Sequence, residues 1–352
     1  MNRRAITLSD VASAAKVSIA TVSRALTAPN KLRPDTLARI NETIETLGYV
    51  ANGSARALAS RRSLTVGALI PAIDNPSFAN TVQTLQKTLG AAGYMLLLAC
   101  HDFSPAAERR LARTLIERGV DGLVLLGTEH EPELFALLER HHIPYVLTWA
   151  LATDTRRPCV GFDNQNAAIS LTEHLLELGH VEFAMISGVT ATNERARERA
   201  AGVRAALQRR GIELPPERYA ERPYTLQNGR DGLIEVLRHA PRPTAVICGN
   251  DVLAIGAIAE CAAIGLHVPD EISITGFDDM EIASMLQPGL TTMHFPTGEM
   301  GELAARQLLQ AIAGGPLPPR RELPVRLVVR GTTAPPLAGA PRREQLTRIA
   351  GD

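Results

Sequence analysis

Polar side chains that could bind an oxygen-rich ligand stand at the ends of apolar runs in the second half of the chain. Asn250 and Asp278 each follow such a run, and amide and carboxylate groups suit paired hydroxyls. Arg195 and Arg199 are four residues apart in a helical stretch, so they share one face. Arginines in the first turns of a helix oppose the helix dipole, which predicts that they face an oxygen-rich ligand.

Two adjacent carboxylates and a nearby histidine are the residues that could suggest an enzyme. Asp278 and Asp279 are adjacent and His294 follows, but neighbouring residues on a strand do not both face one substrate. The sequence has no G-x-S-x-G, no P-loop and no zinc-type spacing, and its cysteines form no C-x-x-C pair. We therefore predict no enzymatic activity, no cofactor and no metal; product formation from candidate sugars would contradict this. The cysteines are Cys100, Cys159, Cys248 and Cys261.

Charge is segregated along the chain. The 352 residues contain 37 basic and 37 acidic side chains, but residues 1–62 carry ten Lys and Arg against four Asp and Glu. The remainder is correspondingly acidic. A basic head on an acidic body predicts that the head binds a phosphate backbone.

Two short helices joined by a tight turn are predicted within the basic head. Thr7 with Asp10 forms a capping-box pattern, and Ser18 can cap a second helix over 19–26. A third helix is predicted over 34–48, beginning at a proline and ending at a glycine. This is the helix-turn-helix geometry, in which the second helix enters the major groove.

The start of the second helix should meet the base edges. Arg24 can hydrogen-bond two acceptors of guanine, whereas Ile19 and Ala20 can make apolar contact with a thymine methyl. Side chains with hydroxyl or amide groups should position the head on phosphates: Thr7, Ser18, Thr21, Ser23 and Asn30. A three-helix packing module remains the alternative, and the charge segregation favours DNA binding.

The head strongly resembles the lactose/galactose repressor family. The resemblance rests on Ile6–Ala12, Val17–Arg24 and Leu47–Asn52 and continues through most of the chain. It implies that the segment containing Arg56, Ala57 and Leu58 is a hinge helix that orders on DNA. Leu58 would wedge into the minor groove at a central CG step; a linker residue docked on the body is the alternative.

From residue 64 onward the pattern changes to short apolar runs separated by amphipathic helical stretches. Such alternation predicts parallel sheets with right-handed crossovers, arranged as two doubly wound α/β lobes. The predicted strands are Leu64–Ile70, Tyr94–Ala99, Gly122–Leu126, Pro144–Thr148, Val160–Phe162, Phe183–Ser187, Thr244–Cys248 and Ile272–Gly276.

The resemblance implies lobes like those of periplasmic sugar-binding proteins, with the chain crossing between them near Phe162, Leu290 and Arg321. The expected domains are a helix-turn-helix head (1–50), a hinge (51–63), an N-terminal lobe (64–162 and 291–321), a C-terminal lobe (163–290 and 322–336) and a tail (337–352).

The resemblance also assigns an effector site between the lobes. Arg199 matches the family's effector-binding arginine, and Arg195 occupies a position that is usually smaller. Helix caps or loop hydrogen bonds are the alternative roles for the polar residues. The full set of expected effector residues is Ser77, Phe78, Trp149, Asn166, Arg195, Arg199, Tyr224, Asn250 and Asp278.

These features predict a cytoplasmic homodimeric repressor that binds a near-palindromic double-stranded operator and responds to a small sugar or sugar acid. No membrane association is expected. Residues 160–164, 260–261 and 265–270 look most like the gluconate-repressor branch, and Arg195 suits a carboxylated sugar. A neutral sugar is the alternative, because it needs the same hydroxyl-binding groups and Arg195 could simply pair with Glu194 or Glu198. The alternative function is an exported binding protein for transport. Such a protein would need an export signal and would not have a basic head.

Overall fold

The computed structural model describes residues 6–50, 62–154, 156–316 and 320–337. Contacts divide the chain into two compact units, Met1–Thr65 and Val66–Asp352. Arg56, Ala57 and Leu58 of the predicted hinge, and the predicted tail beyond residue 337, lie outside the described residues.

The first unit contains the three predicted helices. They are α1 (Leu8–Ala14), α2 (Ile19–Thr27) and α3 (Pro34–Leu47). The capping box is present, since Asp10 N donates to Thr7 Oγ1 and Thr7 N donates to Asp10 Oδ2 at 2.8 Å. Gly48 ends α3 with φ +63°, a conformation that favours glycine. The helices pack around a small core of Val11, Val22, Ala25 and Ile40.

The second unit contains two six-stranded sheets, each with its own helices. The first sheet has the order β11-β5-β4-β3-β1-β2, and its pairings from β11 to β1 are parallel. Its strands are β1 (Thr65–Ile70), β2 (Met95–Cys100), β3 (Gly122–Leu126), β4 (Tyr145–Thr148), β5 (Cys159–Gly161) and β11 (Arg320–Glu322). The associated helices are α4 (Pro76–Ala91), α5 (Pro105–Glu117), α6 (Pro132–Arg140) and α12 (Thr297–Ile312).

The second sheet has the order β12-β10-β9-β8-β6-β7, in which only β12 runs antiparallel to its neighbour. Its strands are β6 (Phe183–Ser187), β7 (Tyr219–Glu221), β8 (Ala245–Cys248), β9 (Ser273–Asp278), β10 (Thr291–His294) and β12 (Arg326–Val328). The associated helices are α7 (Asn164–Glu177), α8 (Glu194–Gln208), α9 (Leu226–Leu237), α10 (Asp251–Ala263) and α11 (Glu281–Met285). The predicted fold class, a helical head with two parallel-sheet lobes, is confirmed.

The chain passes between the two sheets three times. It leaves the first sheet after β5, returns after β10 and leaves again after β11. The crossing expected near Leu290 falls after His294, because β10 pairs in parallel with β9 from Thr291 to His294 and so belongs to the second sheet.

An aromatic cluster fills the core where the crossings bring the lobes together. The rings of Phe162 and Phe295 stack with centroids 4.3 Å apart, and Trp149 packs edge-on against Phe295 at 5.3 Å. Phe277 extends the cluster into the second lobe. No helix among the described residues is long and apolar enough to span a membrane.

Candidate functional site

A nearly closed cavity lies between the carboxyl ends of the two sheets, the place where ligands bind in open α/β folds. Its volume is about 10 Å³, roughly enough for one water molecule. We call it the inner cleft. It is lined by Asn75, Phe78, Trp149, Asn193, Arg195, Arg199, Tyr224, Asn250 and Asp278.

Arg199 is the central cation of the inner cleft. Its Nε donates to Asn164 Oδ1 at 2.9 Å, and its Nη1 donates to the carbonyl oxygen of Gly249 at 2.7 Å. The guanidinium also lies over the ring of Phe277, 3.8 Å from the centroid. These contacts fix the orientation of the guanidinium from three sides.

Asp278 ends β9 with an unusual backbone. It has φ +136° and the next residue, Asp279, has φ +53°, both rare for non-glycine residues. Asp279 anchors this turn by accepting hydrogen bonds from Arg330 Nη2 at 2.6 Å and His294 Nδ1 at 2.9 Å. The Asp278 carboxyl is buried, and burial raises its pKa although Arg199 opposes the shift. Its backbone is thus held in a strained conformation beside the arginine.

Two buried hydrogen-bond donors of the inner cleft have no partner among the described residues. They are Trp149 Nε1 and Asn250 Nδ2. Asn250 uses its other side-chain atom, Oδ1, to cap α10 by accepting from Leu253 N at 2.9 Å. An unsatisfied buried donor costs about 1–3 kcal/mol, so a ligand with acceptor oxygens would be favoured here.

Arg195 is paired within the protein rather than free. Its Nη1 donates to Glu194 Oε1 at 3.0 Å, and both side chains are buried. The same Glu194 oxygen accepts from Thr128 N of the first lobe at 2.8 Å. A second contact between the lobes joins Arg197 to Glu129. These two contacts hold the mouth of the cleft closed.

The other expected effector residues divide into those inside and outside the inner cleft. Phe78 lies inside, packed edge-on against Trp149 at 4.7 Å, and Tyr224 lies at the opposite wall. Ser77 is buried beside the site, where its side chain opposes the rise in the pKa of the Asp278 carboxyl. Asn166 is exposed and bonds to Asp163 with its Nδ2 at 2.7 Å, so the structure does not bring it into the cleft.

Sequence reasoning did not assign Asn75, Asn164 and Asn193 to the site. Asn75 and Asn193 cap α4 and α8, and Asn164 is buried against Arg199 and the carbonyl oxygen of Trp149. An asparagine just before or at a helix start was the only available signal. Gly188 was also missed, and a side chain there would collide with the Tyr224 hydroxyl.

Most of the head residues predicted to contact DNA have exposed side chains. Ile19 is 51% exposed although it is apolar, and Ala20, Ser23 and Arg24 are exposed on the same helix. Within the described part of the chain the Arg24 side chain makes no hydrogen bond or ion pair. Thr7 and Ser18 cap α1 and α2, Thr21 is half-buried and bonded to Ser18, and Asn30 is exposed in the turn after α2.

A helix-turn-helix head and a two-lobed body with a polar cleft define a DNA-binding regulator that senses a ligand. Comparisons with known proteins agree. Residues 7–52 match the bacterial regulatory proteins of the lacI family, and residues 172–333 match a periplasmic binding protein-like domain.

Relatives match over nearly the whole chain. Catabolite control protein A of Priestia megaterium is 31% identical over 303 residues, which is 86% of this chain and 91% of that protein. The ribose operon repressor of Escherichia coli strain K12 is 32% identical over 328 residues, covering 93% and 99%. The repressor CytR of the same strain is 31% identical over 330 residues, covering 94% and 96%.

Solved structures agree as well. The regulator GntR of Chromobacterium violaceum has a TM-score of 0.72 and 33% identity, covering 76% of this chain and 99% of that one. The lac repressor dimer bound to operator and the anti-inducer ONPF has a TM-score of 0.84 and 27% identity, covering 94% and 100%. The chain therefore belongs to the lacI family of bacterial regulatory proteins. It is a DNA-binding transcriptional regulator and not an enzyme.

Proposed function

We propose that this regulator is a repressor that binds a near-palindromic operator as a homodimer and changes its DNA affinity when a sugar or sugar acid enters the inner cleft. The effector part rests on one observation. Trp149 Nε1 and Asn250 Nδ2 are buried without a partner among the described residues, beside Arg199 and Asp278. Together these groups match the acceptors and donors of adjacent hydroxyls. The similar regulator CelR, solved with cellobiose, supports a sugar.

In this proposal the head reads DNA as the sequence predicts. Arg24 binds guanine, Ile19 and Ala20 contact thymine methyl groups, and the hydroxyl and amide groups of Thr7, Ser18, Thr21, Ser23 and Asn30 bind phosphates. We assign Arg56, Ala57 and Leu58 to the minor groove on the family resemblance alone. We infer a cytoplasmic location because the partner is DNA.

Effector binding and DNA binding are coupled through the lobes. The inner cleft is almost filled, so a sugar can enter only if the lobes part and the Glu194–Thr128 and Arg197–Glu129 contacts open. A ligand that prefers one lobe arrangement shifts the equilibrium between them, typically by about 1–3 kcal/mol. That shift would change the spacing of the paired heads.

The charge of the effector is the finer question. Arg195 is the main reason to expect a sugar acid such as gluconate, but Glu194 pairs with it. The Asp278 carboxyl also faces the cleft. These two acids balance Arg195 and Arg199, which favours an uncharged sugar, and gluconate is the sugar acid to compare.

DNase footprinting on DNA upstream of the protein's own gene tests this function. We expect a protected site with two symmetric halves, whose midpoint concentration shifts by about 5- to 150-fold with one member of a panel of sugars and gluconate. A protected site that no panel member shifts would contradict the effector assignment. A chain lacking residues 1–62 is the control, and unchanged operator affinity in it would contradict the role of the head.

A further inference from the structure

A second, larger cavity lies at the mouth of the cleft. Its volume is about 250 Å³, and it is bounded by the loops after β1, β2 and β3 of the first lobe and by the loop before α8 of the second. Arg195 lines both this cavity and the inner cleft, so the two are neighbours. We call it the outer compartment, and its important residues are His101, Phe103, Glu108, His130, Thr192 and Arg195.

His101 gives the outer compartment an unpaired polar group. The residue is 7% exposed, and neither ring nitrogen has a hydrogen-bond partner among the described residues. Its Nε2 is 3.6 Å from Glu108 Oε1, too far for a good hydrogen bond. A neutral imidazole has one donor and one acceptor nitrogen, and a hydroxyl can satisfy either. Both nitrogens are buried in this closed arrangement, so the unsatisfied imidazole favours a ligand whose hydroxyl groups reach it when the lobes part.

Each acid in the wall of the outer compartment already has a partner within the protein. Glu108 accepts from His130 Nδ1 at 3.0 Å, and Glu194 accepts from Arg195 at 3.0 Å. The other two acids of the wall are also paired, Glu129 with Arg197 and Glu131 with Arg109. No described cation of the wall is left to neutralise a carboxylate or phosphate. An anionic group would instead meet several carboxylates, so an uncharged group is favoured.

An aromatic ring completes the outer compartment. Phe103 follows Asp102 in the loop after β2, and both residues have positive φ values, +56° and +50°. This backbone places the Phe103 ring in the wall, with its centroid 6.5 Å from that of Tyr224 of the inner cleft. An aromatic ring beside hydroxyl-binding groups suits the apolar face and the polar rim of a sugar ring.

We propose that the effector spans both compartments, with one sugar ring in the inner cleft and a second, uncharged sugar unit in the outer compartment. His101, Glu108 and Phe103 then select the length of the ligand. The inference rests on the proposed function, because it assumes that the inner cleft binds a sugar. It adds that a monosaccharide fills only part of the site.

The test compares disaccharides with the monosaccharides from which they are built. Trp149, the single tryptophan, lies in the inner cleft, so its fluorescence reports binding. The panel pairs cellobiose and maltose with glucose, and lactose and melibiose with galactose. We expect at least one disaccharide to bind tenfold or more tightly than its monosaccharide.

Two variants assign that gain to the outer compartment. Phe103→Ala removes the aromatic wall, and Thr192→Phe fills the cavity from an exposed position without adding a second tryptophan. Each variant should lower disaccharide affinity at least tenfold relative to the wild type and change monosaccharide affinity less than twofold. Far-ultraviolet circular dichroism shows whether each variant folds. If Phe103→Ala does not fold, the Thr192 variant still tests the proposal.

The outcomes separate the two proposals. A monosaccharide that binds as tightly as every disaccharide, in the wild type and in both variants, overturns the outer compartment and leaves the proposed function standing. Absence of binding by every sugar and by gluconate overturns the proposed sugar effector, and this inference with it. A disaccharide gain that neither folded variant reduces also overturns the assignment to this cavity.

Discussion

Arg199 Nη1 lies 3.9 Å from Asp278 Oδ1, and both side chains are buried in the inner cleft. The distance is too long for a hydrogen bond, and Arg199 uses Nε and Nη1 to donate to Asn164 and Gly249. The cation and the carboxyl are therefore close enough to attract each other but leave polar atoms for a third partner. This arrangement suits a hydroxyl group that bonds to both.

Arg199→Lys should remove the response to an effector and leave DNA binding intact. Lysine keeps the positive charge but lacks the planar fork that holds Asn164 and Gly249, so the cleft loses its fixed donors. We expect the sugar that shifts wild-type operator affinity to lose at least tenfold in potency, while effector-free operator affinity changes less than twofold. Fluorescence anisotropy with labelled operator measures both. Arg209→Lys, at an exposed position just after the same helix, is the matched control; an unaltered response in Arg199→Lys would refute the role.

Arg24→Ala should weaken operator binding more than binding to random DNA. A lost bidentate contact to guanine costs about 1–3 kcal/mol, which is roughly tenfold or more in affinity, and it relaxes specificity at that base pair. Anisotropy titrations against operator and scrambled duplexes at one salt concentration measure the ratio. Arg39→Ala removes an exposed charge from α3 and should lower both affinities similarly. Equal losses on both duplexes for Arg24→Ala would contradict its role in specificity.

The sequence predicted the head and the central strands because their signals are local. Caps at Thr7 and Ser18, and the glycine at residue 48, define three helices without tertiary information. The strands that sequence reasoning missed are short and lie toward the sheet edges. The three residues of strand β11 (Arg320–Glu322) are exposed and all charged, so no apolar pattern marks it. Only pairing with β5 makes it a strand.

Site residues were predicted where a polar side chain stands at the carboxyl end of an apolar strand, as at Asn250 and Asp278. Site residues could not be predicted where the orientation of a helix about its axis decides which side chain faces the cleft. Asn164 and Asn166 both lie in the first turn of α7, but only Asn164 faces Arg199. The partner of Arg195 was likewise open from the sequence, because the choice of Glu194 depends on the approach of Thr128 from the other lobe.

Glu198→Gln should stabilise the protein above neutral pH. Burial, aided by the nearby Glu194 and Asp163 carboxylates, raises the pKa of Glu198 from 4.5 to about 7. Because the folded state then holds the proton more tightly, this contribution to stability is complete below pH 4.5 and is lost as the pH rises through about 7. We expect a gain of about 1 kcal/mol at pH 8, after allowance for solvent screening of a half-buried group.

Urea unfolding of wild type and Glu198→Gln at several values from pH 5 to 8 measures the effect. The difference between the two proteins should grow with pH. The exposed Glu213→Gln is the control and should leave the pH profile of the unfolding free energy unchanged. A constant difference across this range, or a Glu198→Gln variant less stable than the wild type at pH 8, would contradict the prediction.

Gly256→Ala should destabilise the body, whereas Gly90→Ala should not. A Cβ atom at Gly256 in α10 would lie 2.1 Å from the backbone oxygen of Leu226, so the close packing of α9 on α10 requires glycine. Overpacking of this kind costs about 1–3 kcal/mol. Gly90 lies in α4 with no atom within 4 Å of the added methyl, and alanine there should stabilise by about 0.5–1 kcal/mol through its helix preference. Urea unfolding, followed by circular dichroism, measures the free energy of unfolding of both variants and the wild type. Changes of the same sign and size in the two variants would show that helix propensity, rather than the contact with α9, determines the effect at position 256.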